Sequence, residues 1–201
     1  MVRNTFHIFV LLLIIFPGIL WNCKKNPVEP EKPQPGRRDY VWTVDTLTVP
    51  QEDTFYPTRI WGSAADDVWL AGSGSTTRLL WHFDGTEWQT DSMYRAISPS
   101  ALWGFASDDI WLGNASSVFW HYDGAQWSKY SKVTPPEGFD VTVIEDIWGR
   151  NPSDMWGVGA TWQSSPRSGY QGLLMNFSGS EWNLIDIPET PVNFFQIRKD
   201  N

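Results

Sequence analysis

Beyond the first 22 residues the sequence holds two histidines, His82 and His121, and a single cysteine, Cys23. Imidazole and thiolate are the groups best suited to proton transfer, nucleophilic attack or soft-metal binding near neutral pH. The histidines, however, sit in matching strings, Trp81-His82-Phe83-Asp84-Gly85 and Trp120-His121-Tyr122-Asp123-Gly124, and a third version of the string has Asn176 in their place. A group repeated with its surroundings and then replaced by an amide reads as structural. No His-Glu-x-x-His, Gly-x-Ser-x-Gly or Cys-x-x-Cys is present, and Gly72-Ser73-Gly74-Ser75 lacks the Gly-Lys-Ser/Thr of a phosphate cradle. The carboxylates of Asp66-Asp67, Asp108-Asp109 and Asp154 could offer oxygens to calcium, but Asp and Asn also bond their own backbone in turns, and that chemistry accounts for them. No catalytic residue, metal site or cofactor is assigned.

The chemistry that remains is that of flat rings. The chain has 14 tryptophans, 13 of them beyond residue 22, and they recur in series. Ile60-Trp61-Gly62, Asp67-Val68-Trp69, Trp81 and Trp88 return as Leu102-Trp103-Gly104, Asp109-Ile110-Trp111, Trp120 and Trp127. They return again as Ile147-Trp148-Gly149, Asp154-Met155-Trp156, Met175 and Trp182. The lead tryptophans are 42 and then 45 residues apart, with four short apolar runs per unit. That period is the arithmetic of a four-stranded β-propeller blade. The expected fold is all-β, a partial and open propeller of antiparallel blades, with Trp61, Trp69, Trp81, Trp88, Trp103, Trp111, Trp120, Trp127, Trp148, Trp156 and Trp182 as repeated core positions.

Two spans are invariant. Eight residues separate the first Trp from the second in every unit, and seven separate the third aromatic run from the last Trp. Both predict tight hairpins, a to b and c to d. Asp84-Gly85 and Asp123-Gly124 are dipeptides that accept the positive φ of a two-residue turn. The b-to-c and d-to-a connections vary, and the b-to-c span reaches 19 residues from Trp156 to Met175. In an antiparallel blade this makes one end uniform and the other irregular, and loops carried on a rigid scaffold are where binding residues gather. The candidates are Trp162, Arg167 and Tyr170 in the long third b–c loop, with Tyr94 and Arg95 in the first d–a loop. Aromatic faces stack on sugars or partner side chains, and a guanidinium forks onto acidic groups.

The ends are unpaired. Trp42-Thr43-Val44-Asp45 reads as an orphan d strand, and Pro191-Val192-Asn193-Phe194-Phe195 reads as the a strand of a fourth blade. Blades are expected at about 57–92, 99–131 and 144–187 within a 39–201 propeller region, with a fourth begun at 191–201. Three blades do not close, because propellers use roughly four to eight. The chain is therefore expected to be the front part of a longer propeller, or else a short protein that oligomerises to cover its flanks.

Ile8 to Phe16 is an apolar run of nine after Arg3, the length of a signal-peptide core and too short to cross a bilayer as a helix. With Leu20-Trp21-Asn22-Cys23 after it, residues 1–22 resemble a bacterial lipoprotein leader, although Trp21 and Asn22 stand where small residues are usual. The resemblance implies diacylglycerol on Cys23, and Lys24 behind it favours the outer membrane. Residues 23–38 continue as the lipidated cysteine and a Pro-rich, charge-alternating tether with nothing to bury.

The unit Ile-Trp-Gly-x4-Asp-Val-Trp with His-x-Asp-Gly-x-x-Trp resembles the Trp-Gly repeats of exported bacterial propeller lipoproteins, and more loosely Kelch and two-component-regulator propellers. That likeness implies a recognition scaffold more than one reaction. The expected function is thus a non-catalytic cell-envelope lipoprotein, held to the membrane by its N-terminal lipid, that binds a protein or a glycan. The alternative is a glycan-acting enzyme, which needs two carboxylates about 5–10 Å apart in a cleft. Net charge is −8 with a pI near 4.8, which disfavours nucleic acid as a partner.

Overall fold

The computed structural model describes residues 44–49, 53–75, 78–90 and 98–198. The leader, Cys23, the tether, Trp42, and the candidate pair Tyr94 and Arg95 lie outside the described residues. The described residues form twelve strands and no helix.

The strands build three separate four-stranded antiparallel sheets, each from consecutive strands. Sheet 1 is β1 (Phe55–Ala64), β2 (Asp67–Gly74), β3 (Leu80–Phe83) and β4 (Trp88–Thr90). Sheet 2 is β5 (Pro99–Ala106), β6 (Asp109–Asn114), β7 (Val118–Tyr122) and β8 (Trp127–Lys132). Sheet 3 is β9 (Val141–Asn151), β10 (Asp154–Ser164), β11 (Arg167–Phe177) and β12 (Trp182–Ile185).

Register makes the repeat visible. Trp61 lies opposite Trp69, Trp103 opposite Trp111, and Trp148 opposite Trp156. Each second tryptophan then faces the next strand at His82, His121 or Asn176. Just after each Trp-Gly pair the first strand carries one extra residue, Ser63, Phe105 or Arg150, so the ladder shifts at the same place three times. Such bulges bend a strand locally and raise its twist.

Two cores lie between neighbouring sheets. Trp69, Ala71 and Leu80 of sheet 1 pack with Leu102, Ile110, Leu112, Trp120 and Trp127 of sheet 2. Ala101, Trp111 and Phe119 of sheet 2 pack with Ile144, Ile147, Met155, Met175 and Phe177 of sheet 3. Sheet 2 is covered on both faces, which is why its strands read as near-continuous apolar runs rather than alternating ones. The repeat glycines leave room for neighbouring rings. A Cβ on Gly104 would lie 2.6 Å from the Trp61 ring, and one on Gly149 would lie 2.5 Å from the Phe105 ring.

The repeated tryptophans are not equally buried. Trp69, Trp81, Trp111, Trp120 and Trp127 are buried, whereas Trp61, Trp88, Trp103, Trp148, Trp156 and Trp182 are half-buried. Of these repeat rings, three of four in sheet 2 are buried, two of four in sheet 1 and none of three in sheet 3, so burial is greatest in the sheet that has a neighbour on each side.

Three sequence expectations need correction. Residues 157–174 are no loop, because β10 and β11 continue through them as one long hairpin. The Asp of each Asp-Gly turn does not take positive φ. Only the glycines do, Gly85 at 90° and Gly124 at 89°, and Asp84 and Asp123 serve as side-chain acceptors for the turn. Residues 186–198 form no strand, and neither do Val44 and Asp45. A strand needs a ladder partner, and the 191–198 segment instead lies against sheet 3, where Phe194 N–H donates to Gly159 O and its ring covers Gly172.

Candidate functional site

Trp156 and Met175 are repeat positions, and the chain between them keeps pairing. Val158 faces Leu174, Ala160 faces Gly172, and Thr161 faces Gln171, up to Ser164 opposite Arg167. Only Ser165 and Pro166, joined by a cis peptide bond, make the turn. Gly169, at φ 68°, sits where β11 takes one extra residue against Thr161 and Gln163.

This hairpin brings Trp162, Arg167 and Tyr170 together. The Trp162 and Tyr170 rings are 5.4 Å apart and stacked, with planes 22° from parallel. The Arg167 guanidinium carbon is 5.4 Å from each ring centroid, within reach of cation–π attraction. Its Nε donates to the Tyr170 hydroxyl. Trp162 and Tyr170 are half-buried and Arg167 is exposed. The three form one cluster, two stacked rings with a planar cation beside both.

The hairpin tip is braced by residues 138–140. Asp140 accepts from the Ser164 backbone N–H at 2.7 Å and from its hydroxyl at 2.5 Å, and Gln163 Nε2 donates to Gly138 O at 2.8 Å. The Ser164 hydroxyl first, and then its N–H, hold the Asp140 carboxyl below the usual carboxylate range. A groove of about 720 Å³ runs beside the brace, with Phe139 and Tyr170 in its wall and Glu137, Asp186 and Glu189 supplying carboxylates. β12 pairs only with Leu174–Phe177, so the Arg167–Leu173 stretch of β11 has no strand along its outer edge.

The histidines do structural work. His82 Nε2 lies 2.6 Å from Asp67 Oδ1 and its ring stacks on Trp69 at 4.3 Å. His121 Nε2 lies 2.9 Å from Asp109 Oδ1, which also accepts the Trp111 indole N–H at 2.8 Å. In sheet 3 the Trp156 indole donates to Asp154 at 3.2 Å, and Asn176 donates instead to Met155 O at 3.0 Å. The Asp-x-Trp motif is thus a carboxylate that orients a ring from the neighbouring strand or its own. Among the described residues no group of three or more His, Cys, Asp or Glu side chains gathers as a metal site.

One polar centre escaped sequence reasoning. Asp146 is 2% exposed, yet it lies 2.6 Å from Arg198 and 3.7 Å from Arg59, and it accepts the Ile197 N–H at 3.0 Å. Arg59 also donates to Glu145 O at 2.8 Å, and Asn193 donates to the Glu145 carboxylate at 3.2 Å. These groups come from sheet 1, sheet 3 and the C-terminal segment. The available signal was that Arg59 and Asp146 each stand two residues before a repeat Trp-Gly, a slot that Ala101 fills in sheet 2.

No protein-family model matches the chain, and no curated protein matches it.

Proposed function

We propose that the chain is a non-catalytic recognition scaffold of the bacterial cell envelope, an open β-propeller whose blades are the three sheets, tethered to the outer membrane by a lipid on Cys23. The ligand, a glycan or a protein, binds at the long hairpin of the third blade. The observation that carries this reading is the assembly of Trp162, Tyr170 and Arg167 beside the groove. Stacked rings give a sequence-tolerant platform for a sugar face or a partner side chain, and they lose little entropy on binding. A planar guanidinium beside them selects uronic acids or acidic side chains.

Calorimetry with the full chain in mild detergent, against neutral and acidic cell-wall and plant polysaccharides and envelope proteins, tests the site. Trp162→Ala and Arg167→Ala should each weaken binding at least about tenfold, the loss of a hot-spot contact. Binding untouched by both changes would refute the assignment. Lipidation is checked separately: intact mass should show diacylglycerol on Cys23, and Cys23→Ser should release the protein from membranes.

A second reading rests on Glu137, Asp186 and Glu189 lining the same groove. Two of these as acid and base would make the protein a glycan-acting enzyme. Reducing ends released by the wild type and lost in Glu137→Gln, Asp186→Asn or Glu189→Gln would favour it over the scaffold.

A further inference from the structure

The outer edge of sheet 3 is left open by its own sequence. β12 runs antiparallel to β11, from Trp182 opposite Phe177 to Ile185 opposite Leu174. The same register would set Pro188 opposite Gln171 and Pro191 opposite Ser168. Proline has no N–H to give a ladder, and the chain leaves the edge. It returns once, where Thr190 O accepts the Gly172 N–H at 2.8 Å. Among the described residues no strand lies along the outer side of residues 167–171.

Part of this backbone is unpaired on its inner side as well. Trp162 O accepts the Asp140 N–H on the β9 side, so the bonded pairs of the β10–β11 ladder here are Thr161 with Gln171 and Gln163 with Ser168. Gly169 and Tyr170, the two residues opposite Trp162, fall between those pairs and keep their N–H and C=O groups for a strand outside them. An edge with free backbone groups is a template for another chain. The groove of about 720 Å³ lies on it, lined by Gly169, Tyr170 and Gln171 with the 136–139 and 186–191 stretches. Its charged side chains are Glu137, Asp186 and Glu189, all exposed, with no cation among the lining residues. Pro136 and Gln171 also border a pocket of about 260 Å³ walled by Leu173, Leu184 and Ile185.

We propose that an extended, basic segment of a partner protein adds to this edge as a further antiparallel strand, in line with β12. The inference rests on the hairpin of the third blade being the ligand site, and it names that ligand as a peptide strand. Main-chain bonds to Gly169 and Tyr170 hold the segment, and alternate side chains decide which segment it is. Lysine or arginine side chains on one side meet Glu137, Asp186 and Glu189, and an aliphatic one fills the Leu173–Leu184 pocket. A chain of net charge −8 attracts such a segment from a distance too. The Trp162–Tyr170–Arg167 cluster stands at the tip end of the edge and takes the residue that leaves the groove.

The probe is a capped hexapeptide of alternating valine and lysine, titrated calorimetrically into the full chain in mild detergent. It should bind at least about tenfold more tightly than its valine–glutamate counterpart. Glu137→Lys combined with Glu189→Lys changes exposed side chains only, so melting should be retained while the preference between the two peptides reverses. Methylating every second amide nitrogen of the probe gives two complementary peptides. One set should lose at least about tenfold and the other little, because only alternate N–H groups point to a neighbouring strand. Equal losses from both sets, or no binding of the probe at millimolar concentration, would overturn the proposal. A wild-type dimer that the probe dissociates would also overturn it, by making a second copy the occupant. Polysaccharide binding that needs Trp162, in a chain indifferent to the probe, would sink the strand and leave the hairpin site standing. Probe binding untouched by Trp162→Ala and Arg167→Ala would keep the strand and remove the ring cluster from the site.

Discussion

The two ends of the sheets are built on different principles. At one end the a–b and c–d turns lie side by side and repeat: a Cβ on Gly85 would lie 2.8 Å from Asp66, one on Gly124 2.8 Å from Asp108, and one on Gly179 3.4 Å from Ser153. The first two c–d turns are closed by their own side chains, with Asp84 accepting the Thr86 N–H at 2.9 Å and Asp123 accepting the Ala125 N–H at 2.9 Å. At the other end nothing repeats. The first b–c connection lies partly outside the described residues, the second is the short Ala115–Ser117, and the third is a hairpin that carries Trp162, Arg167 and Tyr170 out to Ser165. Uniformity belongs to the end that stabilises the repeat. The end freed from that duty can carry recognition.

That contrast is broken most severely at the core that holds both ends. Trp111 is 3% exposed and its ring touches those of His121, Tyr130, Phe177 and Trp182. Trp111→Ala should cost about 3–5 kcal/mol in urea unfolding and should remove turn and hairpin alike. Asp146→Ala comes next, at about 1.5–3 kcal/mol, because it removes charge-assisted bonds that join sheet 1 and the C-terminal segment to sheet 3. A smaller loss there than at an exposed aspartate such as Asp186 would contradict the role given to it.

Gly124→Val probes the uniform end alone. A side chain at φ 89°, pressed on Asp108, should cost about 1–2 kcal/mol and leave ligand binding unchanged. Trp162→Ala is its counterpart, with stability lowered by about 0.5–1.5 kcal/mol as one aromatic pair is lost and binding weakened at least about tenfold. A Gly124→Val variant that also lost binding would erase the distinction between the ends.

The smallest effect is acid sensitivity. Hydrogen bonds from the Thr86 hydroxyl, then the Glu87 and Thr86 N–H groups, lower the Asp84 pKa to about 2. A depressed carboxylate contributes stability above its unfolded value and loses it as protons bind the folded state. The contribution should be whole above about pH 4 and fade towards about pH 2, and Asp84→Asn should flatten that part of the profile.

Much of the fold could be seen in the one-dimensional pattern. The eight-residue and seven-residue spans named the hairpins of each sheet, since a tight turn fixes register and register fixes which rings align. The Asp-Gly pairs marked the c–d turns, although which residue takes positive φ depended on the carboxylate folding inward. The candidate site was legible only as a list. Trp162, Arg167 and Tyr170 were picked for their type and put in a loop, because a 19-residue gap between core positions looks structureless when only the tryptophans are counted.

The chain by itself determined where the a–b and c–d turns fall and which tryptophans stand opposite one another, because those are local consequences of ring spacing, Asp and Gly. Tertiary structure decided what no single segment holds. The pairing of β10 with β11 stacks Trp162 on Tyr170 under Arg167, and the approach of sheet 1 and the C-terminal segment to Asp146 neutralises a buried carboxylate. Only neighbouring sheets decide that Leu102 is buried and Ile60 is not. Burial and convergence depend on surfaces that meet across long sequence separations, and no spacing rule encodes a partner that another sheet must supply.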